Sequence, residues 1–173
     1  DRSHDPWLKS ELYQDQFAHA MDRHDSAAMR RIIETHQQLA RSMNSRQALA
    51  LTCEGQGWLA IAEEHYDQAL EHQRERLRIE RIQGNRSGIA WASMEIAWLE
   101  LQCANLAVAK ASVDDALAHV RAIEDRLGTT RALCLQSLIC LWQGDPDAVE
   151  ADARAFLSLA RTFGRQADFA TWN

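Results

Sequence analysis

A forty-residue recurrence runs through the chain. His65-Tyr66-Asp67-Gln68-Ala69 is followed forty positions later by Asn105-Leu106-Ala107-Val108-Ala109 and forty further by Asp145-Pro146-Asp147-Ala148-Val149, and Asp25-Ser26-Ala27-Ala28-Met29 precedes it by the same step. Self-similarity at a fixed period of this size is the signature of a repeat array, in which each unit buries its apolar face only against its neighbours. The period divides the chain into units at 7–46, 47–86, 87–126 and 127–166, with the start of a fifth at 167–173. Residues 1–173 then read as a single repeat domain. They also read as a fragment of a longer protein, because arrays of this kind end in a polar cap that Phe169 and Trp172 do not supply.

Composition decides what the units are made of. Seven Gly and only two Pro, at Pro6 and Pro146, are too few turn punctuators for a sandwich or barrel, so the expected class is all-α with two helices per unit. In the first helix of the later units, apolar columns align: Trp58, Trp98 and Leu138; Leu59, Leu99 and Ile139; Ile61, Leu101 and Leu141. Beside them runs a small column of Gly57, Ala97 and Ser137. A small residue recurring at one point on a helix lets the paired helix approach closely.

The second helices carry a stripe at helical spacing, Ala109, Val113, Ala116, Leu117 and Val120 in one unit and Val149, Ala153, Phe156, Leu157 and Ala160 in the next. The second unit instead places Gln73, Arg76 and Glu80 in these columns, within the charged run EHQRERLRIER. That pattern reads as a helix that is less buried or slightly rotated, whose Arg76 and Glu80 can pair at i, i+4 on a solvated face, with a docking surface as the alternative. Gly84-Asn85, Gly128 and Gly164 are expected to be left-handed helix caps, and Asp145-Pro146 a helix start. Short loops between such helices make neighbours antiparallel, and stacked pairs of equal length form a superhelical solenoid.

Charge and hydropathy narrow the function classes. The net charge of −6 is spread along the array, which disfavours a nucleic-acid surface. No apolar run approaches the roughly 20 residues needed to cross a bilayer, and DRSHDPWLKS lacks the basic start and apolar stretch of a secretion signal, so a cytoplasmic location is expected. Cys53, Cys103, Cys134 and Cys140 lie in apolar stretches without CxxC spacing and are expected to be reduced core residues. Walker, GxGxxG, GxSxG and HExxH motifs are absent from the sequence, and His65 and His72, seven apart, are too distant along a helix to share a metal, so neither catalysis nor a cofactor is expected.

A small residue followed twelve positions later by Ala, as in Gly57 to Ala69 and Ala97 to Ala109, with Gly144-Asp145 ahead of a second helix, resembles the tetratricopeptide repeat. Units of forty residues, longer than the usual 34 or so, resemble the variants of large bacterial signalling and LuxR-type transcription regulators. The resemblance implies a right-handed superhelix whose first helices line a concave groove. Carried over by column, that groove holds Glu54, Trp58, Trp91, Met94, Trp98, Arg131 and Leu138, with Leu51, Ile61, Leu101, Cys134 and Leu141 alongside. Only Arg131 is cationic on this face, so a carboxylate clamp is not expected. The tryptophans serve either as packing between units or as contacts to an amphipathic helix, an extended peptide or a small apolar effector. The resulting expectation is a noncatalytic module binding a protein segment or small effector. Its alternative is a structural spacer or self-association module, as found ahead of diguanylate or adenylate cyclase domains, in which the chain forms a homo-oligomer.

Overall fold

The computed structural model describes residues 6–163, with side chains from 12 to 158. These residues form eight helices: α1 (Pro6–Asp22), α2 (Ser26–Ser42), α3 (Arg46–Ala62), α4 (Tyr66–Gln83), α5 (Arg86–Gln102), α6 (Leu106–Ala122), α7 (Arg126–Gln143) and α8 (Pro146–Phe163). No strand occurs among the described residues. The class is all-α. Helices begin every twenty residues, so each forty-residue repeat contains two equal helix-and-turn steps.

The turns keep that step constant. His24, Asn44, Glu64, Gly84, Ala104, Glu124 and Gly144 all adopt left-handed φ, between 48° and 74°. The residue after each one donates its N–H to the carbonyl five positions back, as in Asp25 to Ala20, Ser45 to Ala40 and Asp145 to Cys140, at 3.0 to 3.1 Å. This is one helix-ending cap used seven times, and it satisfies carbonyls that the helix itself leaves open. Gly84 and Gly144 fill the position without strain, whereas Ala104 and the three other non-amide side chains hold it against the usual Cβ penalty.

Gly128 departs from expectation. It is the third residue of α7 and buried, and the cap lies four residues earlier at Glu124. Glycine is needed at 128 for space: a Cβ there would stand 2.5 Å from Asp125 Oδ2 and 2.6 Å from Val120 Cγ1. Gly164 and the fifth unit's start near Asp168 lie outside the described residues. Helix starts follow the side-chain oxygens. Asp25, Ser45, Asp125 and Asp145 each accept from the backbone N–H three residues on, at 2.9 to 3.2 Å. Pro146 then occupies the first position of α8, where its missing N–H costs nothing.

Contacts across the turns fix the direction of neighbouring helices. His36 meets Thr52, Gln136 meets Asp114 and Ser93 meets Asp115, each pair roughly symmetric about the intervening turn. The pairs α2–α3, α5–α6 and α6–α7 are therefore antiparallel. The chain divides into two contact units, 1–92 and 93–173, with the boundary inside α5. In the first, Tyr13, Phe17 and Ala20 of α1 pack with Met29 and Ile33 of α2, and Leu51, Trp58 and Leu59 of α3 lie against them. In the second, Leu99, Val113, Ala116, Val120 and Ile139 are fully enclosed. The α6 stripe is thus buried as its spacing predicts, and so is Ala97 of the small column.

The charged run in α4 is not a solvated face. Gln73, Arg76 and Glu80 are all buried. Arg76 and Glu80 do not pair with each other: Arg76 lies against Glu54 of α3, and Glu80 accepts a hydrogen bond from Asn85 Nδ2 at 2.8 Å. Glu100 repeats the second arrangement with Asn105 Nδ2, also at 2.8 Å. In both turns the Asn backbone N–H donates to the carbonyl of the same Glu, so a carboxylate-to-amide bond spans the left-handed residue. The cysteines also differ from expectation. All four are free thiols, but only Cys140 is buried; Cys53 and Cys134 are half-buried and Cys103 is exposed.

Candidate functional site

Glu54, the first of the expected groove residues, lies in the seam between α3 and α4. Gly57 makes that seam close: a Cβ there would stand 2.7 Å from Gln73 Nε2. Gln73 is fully enclosed, and neither its amide nitrogen nor its oxygen has a hydrogen-bond partner. One turn further, Arg76 Nη1 approaches Glu54 Oε1 at 3.1 Å, without the alignment of a hydrogen bond. Glu54 thus neutralises a buried guanidinium, a role that ties it to the fold, since an unpaired charge at that depth is strongly destabilising. The adjacent Cys53 thiol is pushed up to about 11, chiefly by burial with Glu75 adding to it. It stays protonated at neutral pH and is a poor nucleophile.

A second polar cluster joins α1, α2 and α3. Thr52 donates its hydroxyl to the Ala48 carbonyl at 2.8 Å, so the 2.9 Å contact with His36 Nδ1 requires that ring nitrogen to be the donor. The Tyr13 ring stacks on His36 with centroids 3.9 Å apart, and its hydroxyl donates to the Leu51 carbonyl at 3.3 Å. Burial holds the His36 pKa below its ordinary value and pushes Tyr13 well above its own. Tyr13 and His36 form part of the lining of an open cleft of about 620 Å³ between α1 and α2, whose rim carries Gln16, Arg31, Thr35, Gln38 and Ser42.

The expected aromatic stripe is divided among different environments. Trp58 is half-buried and packs on the Tyr13–Phe17–Met29–Ile33 cluster, so much of its surface is spent within the first unit. Trp91 and Trp98 are also half-buried. Met94, placed between them in the expected groove, is buried, with 6% of its surface exposed. The reason lies in α5 as a whole. Ile89, Ala90, Ala92, Ser93, Ile96, Ala97, Leu99 and Glu100 are buried with it, as in a helix enclosed on most sides instead of one.

Arg131 and Leu138 lie on α7, where the apolar surface is open. Arg131 is half-buried and Leu138 exposed. Leu138, Leu141 and Trp142 share one side of that helix at spacings of three and four, with Leu141 and Trp142 62% and 63% exposed. Leu101, forty residues before Leu141, is only 4% exposed. The contrast recurs in α8. Ala109, Val113, Ala116 and Leu117 of α6 are buried, but their α8 counterparts are half-buried Val149 and Phe156 and exposed Ala153 and Leu157. Columns hidden in one helix pair meet solvent in the next.

Trp142 was missed by column reasoning because Ala62 and Gln102 stand at its equivalent positions. The only local signal was an aromatic residue directly after Leu141 and just before the cap at Gly144.

Catalytic geometry does not emerge from the polar groups nearby. Ser93 Oγ donates to Asp115 Oδ2 at 3.0 Å, and His119 Nε2 lies 3.7 Å from Asp115 Oδ1. The carboxylate therefore stands between hydroxyl and imidazole, the wrong order for the imidazole to take the serine proton. Among the described residues, no three His, Cys, Asp or Glu side chains gather to hold a metal ion, and no helix is long and apolar enough to cross a membrane. No family model matches the sequence, and comparison with curated proteins finds no significant match.

Proposed function

We propose that the chain is a noncatalytic binding module of tetratricopeptide-like type, a right-handed stack of antiparallel helix pairs serving a cytoplasmic bacterial signalling or transcription-regulatory protein. Its ligand is a protein segment in helical form. The observation that carries this reading is the uncovered apolar side of α7 and α8, where Leu138, Leu141, Trp142 and Leu157 stand in solvent. From their fractional exposure these side chains leave open roughly 400 Å², a size at which patches on soluble proteins mark interaction sites. The residues on each helix repeat at three and four, the spacing that receives leucines from an amphipathic helix. A small effector is the weaker fit, because a small-molecule site buries most of its ligand, whereas these side chains stand largely in solvent.

The test uses a soluble amphipathic helical peptide with leucines at i, i+4, i+7 and i+11, titrated into the chain while tryptophan emission is followed. Saturable change is expected, and it should be lost in Leu141→Glu. A spacer that binds nothing gives no saturable change, and an equal response in Leu141→Glu would place binding elsewhere.

A further inference from the structure

We draw no further inference here: the strongest candidate, the open cleft of about 620 Å³ between α1 and α2 that Tyr13, Arg31 and His36 help to line, lies at the start of the described side chains, and nothing in the structure shows what fills or covers it.

Discussion

Replacing Gln73 by Met should make the protein more stable, although it removes a polar group from a helix whose sequence is dominated by charge. Gln73 is fully enclosed and both ends of its amide lack a hydrogen-bond partner. Mutational data put the cost of burying such a group at about 1–3 kcal/mol. Methionine is unbranched and of similar length, so it can follow the same path over Gly57, where a branched side chain has less room. The gain expected is therefore about 1–3 kcal/mol, or about 2–12 °C in Tm for a chain of this size. Urea denaturation followed by circular dichroism reads it as a higher midpoint at constant slope. Gly57→Ala should be destabilising in the wild type and less so in a Gln73→Ala background, because the added Cβ meets the Gln73 side chain. A loss of 1 kcal/mol or more in Gln73→Met, at unchanged slope, would refute the reasoning by showing that the amide makes favourable interactions in the folded protein.

Three further outcomes follow from the same geometry. Ala104 sits at φ 59°, so Ala104→Gly should relieve left-handed strain and stabilise by about 0.5–1 kcal/mol despite the added chain entropy; an unchanged urea midpoint would contradict this. Ala97 is fully buried, so Ala97→Leu should overpack and cost about 1–3 kcal/mol, and unchanged thermal stability would place the small column at the surface. His36 has a folded pKa lowered by burial, so the folded state favours the neutral ring. Stability should be full above the unfolded value near 6.5, fall as pH drops from there to the folded pKa, and level off below it. A urea midpoint measured from pH 7.5 to 5 should show this fall, and His36→Gln should reduce it, leaving the part due to His72, whose pKa burial also lowers.

The sequence alone was enough to specify helices, their approximate spacing and some of their inward faces. Ala109, Val113, Ala116, Leu117 and Val120 recur at helical spacing and are buried, and Asp145-Pro146 starts α8. These features depend on local chemistry: apolar side chains at a period of 3.6, a side-chain oxygen for an open N–H, and a ring that lacks one. The turn at Glu124 was hidden because a backbone hydrogen-bond pattern, with no glycine to announce it, holds the left-handed residue. Gln73, Arg76 and Glu80 were misplaced for a related reason. Their burial is imposed by groups distant in sequence, Gly57 and Glu54 from α3 and Asn85 from the following turn, and a polar residue in a core column looks the same whether water or a partner satisfies it. Exposure of Leu141 and burial of Leu101 in the same column make the point most directly: periodicity gives the side of a helix that is apolar, but only the surrounding helices decide whether that side is covered.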